Sequence, residues 1–191
     1  MEEGWTFDWF CIMIENSRTM DEDSKIREKF MFKTAIITAS DRGFQGLRED
    51  LSGKEIEQML DADYEIVSKQ ILPDDRQMLS EAMKKLSNEG IDVIFTTGGT
   101  GFSKRDVTPE ATLDVIDRQT PGITQAMMFH SLSITPKAML SRAVSGICQN
   151  TLIINLPGSP KAVRENLEFI IEPLKHGIEI LKGTSSECGE K

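Results

Sequence analysis

The run Thr96-Thr97-Gly98-Gly99-Thr100-Gly101-Phe102-Ser103-Lys104-Arg105-Asp106 packs three glycines, two cations and a carboxylate into one segment. It follows the short apolar run Val93-Ile94-Phe95 and leads into a helix start at Thr108-Pro109. A strand that ends in a glycine-rich turn exposes backbone N–H groups at a sheet edge, where they can form an anion-binding nest. An acidic residue beside a phosphate cradle is where a divalent cation would be held. The segment therefore points to phosphate, metal and carboxylate chemistry together. It is neither a P-loop, since Gly98-Gly99-Thr100-Gly101 lacks the required lysine, nor Gly-x-Gly-x-x-Gly, since Lys104 stands three after Gly101. A tight strand-to-helix loop that uses glycine for backbone room is the plain structural alternative.

Positioning such a loop takes a sheet with helices around it. Residues 34–39 form an apolar, β-branched run that reads as a buried strand, with a polar loop at 40–43. Ser52-Gly53-Lys54-Glu55 reads as a capping box, with Ile56, Met59 and Leu60 as the apolar stripe behind it. Residues 64–71 alternate as a strand that ends at Leu72-Pro73-Asp74-Asp75, and a helix follows through Met78, Leu79, Met83 and Leu86. After the glycine loop, Thr108 is the expected N-cap, with Pro109 in the first turn. Pro121 opens a further helix. Residues 142–147 and 151–155 read as two strands around a tight turn at Gln149-Asn150. Ser159 caps the last helix, which Pro173 is expected to break or restart. The methionines Met59, Met78, Met83, Met127 and Met128 read as core filling.

Strands that alternate with helices imply an α/β fold, a doubly wound three-layer sandwich with a mostly parallel central sheet and a small β-hairpin. In such sheets ligands bind beyond the carboxyl ends of the strands. Four polar loops lie at those ends: 40–43, 72–75, 96–106 and 156–159. Their convergence at one edge is what the residues alone offer for a site.

The chain has 191 residues, 39% of them hydrophobic, enough for one core with a peripheral segment. Its formal net charge of −9 speaks against a sequence-independent nucleic-acid binder and against docking to an anionic membrane. Phosphate handling would then draw on local cations: Arg42, Lys104, Arg105, Arg142 and Lys161 all lie near the loops above. Cys11, Cys148 and Cys188 are too few and too scattered for a disulfide framework and fit a reducing cytosol. With two histidines, the chain speaks against a His-based zinc site. Residues 1–30 differ from the rest. The apolar run over 5–14 is interrupted by Asp8, lacks a basic leader and is too short to span a membrane. Two readings stand: a short helix that packs on the domain or a neighbouring subunit, or a natural start at Met31. A domain over 31–183 and a polar tail over 184–191 complete the expected organisation.

The segment from Thr97 through Asp106 to Val107-Thr108-Pro109-Glu110-Ala111-Thr112 resembles the MoaB/Mog family of molybdenum-cofactor biosynthesis proteins. Ser40-Asp41-Arg42 and Leu72-Pro73-Asp74 also match, as do the runs over 135–142 and 153–163, so the resemblance covers about residues 32–182. It implies a single-domain molybdopterin adenylyltransferase, a nucleotidyltransferase that moves AMP from Mg-ATP to molybdopterin and releases pyrophosphate. A non-catalytic molybdopterin-binding or scaffold protein of the same fold is the alternative. The resemblance also implies a cytoplasmic homotrimer, with other cofactor-biosynthesis proteins as candidate partners.

By that resemblance the catalytic acids fall on Asp74 and Asp106, which would hold Mg2+. A cation held by carboxylates offsets charge on the reacting phosphates and aligns them. Gly98, Gly99, Thr100 and Gly101, with Thr97 before them, would present the phosphate cradle. Ser40, Asp41, Arg105, Glu110, Ser141, Pro157, Gly158 and Ser159 complete the expected substrate-binding set. Structural roles compete at several positions. Asp74 could be an N-cap with Gln77 completing a capping box, or Asp75 could be the cap and leave Asp74 free. Asp106 could pair with Lys104 or Arg105 at the surface. Glu110 suits a helix start by charge alone. Ser159 is equally a plain cap, and Ser141 and Arg142 could reach a pterin phosphate or pack the hairpin.

Overall fold

A computed structural model describes residues 31–184. The expected extension over 1–30 and the tail beyond 184 lie outside the described residues. The strands are β1 (Phe32–Ala39), β2 (Tyr64–Leu72), β3 (Val93–Thr97), β4 (Arg118–Gln119), β5 (Ser145–Cys148) and β6 (Thr151–Leu156). The helices are α1 (Asp41–Phe44), α2 (Leu51–Met59), α3 (Arg76–Asn88), α4 (Thr108–Leu113), α5 (Pro121–Ile134) and α6 (Pro160–Lys182), with a 3-10 turn at Pro136–Leu140. The sheet order is β2-β1-β3-β6-β5-β4. The first four run parallel, and β5 and β4 are antiparallel to their neighbours. This is the mostly parallel α/β sandwich, hairpin included, that the alternation of strands and helices predicts.

Side-chain alternation along the buried strands feeds two cores, one on each face of the sheet. Phe32, Ile36, Val93, Phe95, Leu152, Ile154 and Leu156 meet Ile56, Met127, Val163 and Leu167 on the face covered by α2, α5 and α6. Ala35, Ile37, Ile94 and Ile153 meet Leu79, Met83, Leu86 and Ala111 on the face covered by α3 and α4. From β1 the chain steps to β2 on one side and then to β3 on the other. The carboxyl ends of β1 and β3 therefore flank the switch point where such sheets open a crevice.

Several local expectations change. Helix α2 is capped by Asp50, whose carboxylate accepts the Gly53 N–H, so Ser52 lies inside the helix and forms no capping box. Val107, not Thr108, precedes α4, and Thr108 is its first residue. Pro173 lies inside α6, which runs unbroken from Pro160 to Lys182. Strand β5 starts at Ser145, three residues later than expected, because Arg142 is drawn onto the glycine loop instead of a neighbouring strand. Met78 is exposed, while Met83 and Met127 fill the core. Ser159 caps α6 as expected, accepting the Ala162 N–H.

Candidate functional site

The glycine loop is the wall between two cavities. A polar cleft of about 250 Å³ is lined by Ser40, Asp74, Gly98, Gly99, Asp106 and Gly158, one or more from each of the four loops expected to converge. A second, more apolar cavity of about 310 Å³ is lined by Thr100, Gly101, Ser141 and Pro157 together with Met127, Met128 and Lys137. Eight of the expected substrate-binding residues are thus divided between two chambers that share one loop, and Asp41, Thr97, Arg105, Glu110 and Ser159 line neither.

Local geometry makes the wall thin. Gly98 and Gly99 have φ of +88° and +63°. A side chain on Gly98 would collide with the Ala39 carbonyl, and one on Gly99 with the Thr108 hydroxyl. At Gly101 a β-carbon would stand 2.9 Å from Asp106 Oδ2. Glycine is required at these positions by backbone conformation and by the closeness of the neighbours. Among the described residues, the N–H groups of Gly98, Gly99, Thr100, Gly101 and Phe102 donate to no protein acceptor. Gly98 to Gly101 are buried or half-buried, where N–H groups are nearly always paired, and Phe102 is exposed. Five consecutive unpaired donors are what an anion cradle offers.

Asp75, not Asp74, caps α3, accepting the Met78 N–H at 2.9 Å. Asp74 is thereby free to face the cleft. Its Oδ2 accepts the Asp41 N–H, while Oδ1 has no protein donor and lies on the Gly99 side. Burial pushes the Asp74 carboxyl above its usual range, and the nearby Asp41 and Asp106 carboxylates act in the same direction. Asp106 uses Oδ2 to accept the Ser103 N–H at 2.9 Å and keeps Oδ1 free. The surface pairing considered for Asp106 does not form: Arg105 instead grips Asp41 through two bonds, of 3.0 and 2.7 Å. That contact holds the Asp41 carboxyl below its usual range.

The remaining expected residues take supporting positions. Thr97 is buried and its hydroxyl donates to the Pro157 carbonyl at 2.7 Å, tying β3 to the following loop. The Ser40 hydroxyl caps α1 at the cleft wall, accepting the Gly43 N–H at 3.0 Å. Glu110 is paired with Arg142. Of the five candidate cations, Arg105, Arg142 and Lys161 are in ion pairs with Asp41, Glu110 and Glu165, whereas Arg42 and Lys104 have no ion pair among the described residues.

Sequence reading missed Arg48 and Asp50, both of which line the polar cleft. Asp50 caps α2 and also accepts the Thr38 hydroxyl at 2.8 Å, which closes the cleft floor. Its position three residues before Gly53 was the available signal, masked by the apparent box at Ser52. Arg48 carries no local pattern that would single it out.

The two carboxylates suit a particular kind of cation. Among the described residues no group of three or more His, Cys, Asp or Glu side chains forms a metal cage. Two carboxylates, each with an oxygen lacking a protein donor, match a magnesium ion that brings water and substrate phosphates as its other ligands.

Comparison with known proteins identifies the family. A family model described as "Probable molybdopterin binding domain" matches residues 35–176. The molybdopterin adenylyltransferase of Helicobacter pylori is 39% identical over 165 residues, covering 82% of this chain and 91% of that protein. The molybdopterin adenylyltransferase of Haemophilus influenzae is 39% identical over 160 residues, covering 82% of this chain and 80% of that protein. The crystal structure of the molybdopterin biosynthesis enzyme MoaB from Thermus thermophilus matches with a TM-score of 0.76 at 41% identity, covering 80% of this chain and 98% of that one. With the fold, the glycine loop and the sequence in accord, the chain belongs to the molybdopterin-binding domain family of molybdenum-cofactor biosynthesis proteins.

Proposed function

We propose that this protein is a molybdopterin adenylyltransferase, transferring AMP from ATP to molybdopterin with release of pyrophosphate. The observation that carries the reading is the run of five unpaired N–H groups from Gly98 to Phe102 beside two carboxylates that each keep an open oxygen. It is supported by the adenylyltransferase relatives at 39% identity over most of the chain.

Adenylyl transfer needs two phosphate groups held in line while negative charge is screened. The loop amides bind phosphate oxygens. Asp74 and Asp106 would hold Mg2+, which supplies charge neutralisation at the reacting phosphates. Asp41, committed to Arg105 and to the Asp74 backbone, fixes the Asp74 side of the cleft. Ser40, Gly158 and Arg48 line the same chamber, and Thr100, Gly101, Ser141 and Pro157 belong to the second one. Two chambers that meet at one phosphate-binding wall suit two substrates joined through their phosphates. The working molecule is a cytoplasmic homotrimer in this reading, and residues 31–183 form its catalytic domain.

The test is pyrophosphate release from Mg-ATP on addition of molybdopterin, with Asp106→Ala alongside. Release by the wild type, lost in the variant and lost with a magnesium chelator, is the expected result. Molybdopterin binding without release would replace this reading with the non-catalytic one. Full activity in Asp106→Ala would reject the assignment of that residue.

A further inference from the structure

Each side-chain nitrogen of Arg142 has a protein acceptor before any substrate arrives. Its Nε donates to the Gly101 carbonyl at 2.6 Å and its Nη2 to the Asp106 carbonyl at 2.5 Å, while Nη1 donates to Glu110. Its backbone N–H donates to the Thr100 carbonyl at 2.9 Å. The other Glu110 oxygen is buried with no hydrogen-bond partner. The two half-buried side chains therefore form a pair whose charges largely cancel, and an arginine held this way is poorly placed to be an anion ligand itself.

Peptide planarity gives these contacts a consequence. In a trans peptide the C=O and the following N–H point in opposite directions. The carbonyls of Thr100, Gly101 and Asp106 are all drawn to Arg142, so the N–H groups of Gly101, Phe102 and Val107 are turned away from it. Those of Gly101 and Phe102 are among the five unpaired donors. A peptide flip in this glycine-rich stretch would break a bond to Arg142 and replace a donor by a carbonyl oxygen, which repels phosphate. Glycine makes such flips easy; the Thr108 N–H holds the Gly99 carbonyl, and the Thr100 and Gly101 carbonyls are left to Arg142.

We infer that Arg142 is a positioning residue, fixing the peptide planes of the glycine loop in the donor-out state and holding the Asp106 backbone, with Glu110 cancelling its charge. The inference rests on the loop's role as a phosphate cradle in adenylyl transfer. It separates Arg142 from the cations that can meet phosphate directly: its work is done through Gly101, Phe102 and Asp106.

The experiment compares wild type, Arg142→Ala and Arg142→Lys in steady-state pyrophosphate release, and follows hydrogen–deuterium exchange of the segment 98–110 in the same full-length proteins. Arg142→Ala is expected to lower kcat by about 10²-fold, with KM for ATP changed by less than about threefold, since misplaced groups lose transition-state rather than ground-state binding. Exchange rises in 98–110 and not in the two cores. Added guanidinium restores part of the activity of Arg142→Ala, and Arg142→Lys stays impaired because a single ammonium nitrogen cannot span acceptors that sit on three different guanidinium nitrogens. Unchanged kcat in Arg142→Ala overturns the inference. So does a change confined to KM, which would make Arg142 a ligand, or a chain-wide rise in exchange that guanidinium does not reverse. If the wild type itself releases no pyrophosphate, the adenylyl-transfer reading fails. The positioning role is then judged on exchange alone, and no change in 98–110 would overturn it.

Discussion

Asp41 and Asp74 hold each other by main chain and side chain reciprocally. The Asp41 N–H donates to Asp74 Oδ2 at 3.0 Å, and the Asp74 N–H donates to Asp41 Oδ1 at 3.1 Å. The exchange ties the loop after β1 to the loop after β2, and Arg105 adds the glycine loop through its grip on Asp41. Asp41 is thus the joint of three loops, and Asp74 is left with one oxygen to offer.

Asp74→Asn separates function from stability. Adenylyl transfer is expected to fall by at least ~10²-fold, as when a charge-stabilising group is lost. The fold gains. Because burial raises the Asp74 carboxyl in the folded state, its charged form costs stability once pH exceeds the unfolded value, and asparagine removes that cost. Thermal melts should show the variant higher by roughly 2 °C near neutrality. The difference should close as pH falls below the ordinary carboxylate range, where both states are protonated. A variant less stable than wild type at neutral pH would contradict this.

The Asp41–Arg105 pair has the opposite sign. Hydrogen bonding to Arg105 lowers the Asp41 carboxyl in the folded state, so its contribution is present above the ordinary carboxylate range and is lost as pH falls through the lowered value. Arg105→Gln should therefore lower the melting temperature near neutral pH and leave it unchanged in strong acid. The pair is exposed, so the effect is small and shrinks in added salt. A decrement independent of pH would exclude the pair as its cause.

Two glycine substitutions should move stability in opposite directions. Gly98→Ala places a side chain at φ +88° against the Ala39 carbonyl, a cost of about 2 kcal/mol or more. Gly177→Ala, within α6 and with nothing within 4 Å of the added carbon, should stabilise by about 1 kcal/mol through helix propensity. Urea unfolding of both variants checks the pair. A neutral Gly98→Ala would mean that the loop relaxes in a way this packing does not allow.

Asn155 is a buried polar joint. Its Oδ1 accepts the Val144 N–H at 3.0 Å, and its amide donates to the Thr96 and Thr112 hydroxyls at 2.9 and 2.8 Å. Asn155→Leu leaves these partners unsatisfied beside the glycine loop, at a cost of about 3 kcal/mol. Chemical denaturation of a variant that lost less than about 1 kcal/mol would show that the partners find other bonds.

What could be read in advance follows from the range of the forces involved. The buried strands were legible because runs such as Ile36-Ile37 and Val93-Ile94-Phe95 carry their burial in composition. Convergence of four loops followed from strand alternation alone. The capping of α2 was misread because Ser52-x-x-Glu55 and Asp50 are both valid local signals, and the Thr38 contact, from β1 12 residues away, is what favours Asp50. Division of the site into two chambers was invisible for the same reason. The two chambers are lined by residues far apart in sequence, and the Arg142 side chain reaches the glycine loop across 41 residues at Gly101 and 36 at Asp106. The two-residue β4 carries too little pattern to be recognised at all.

The last strand to be synthesised, β6, lies in the middle of the sheet against β3, not at an edge. A nascent chain that has emerged only as far as the glycine loop lacks one of that loop's two flanking strands, as well as Arg142 and Gly158. The candidate site is therefore completed late, and a product cut short before residue 156 would carry the glycine loop without Pro157 and Gly158. Long-range pairing of this kind also slows folding. Affinity at the proposed site would thus report on completion of the chain.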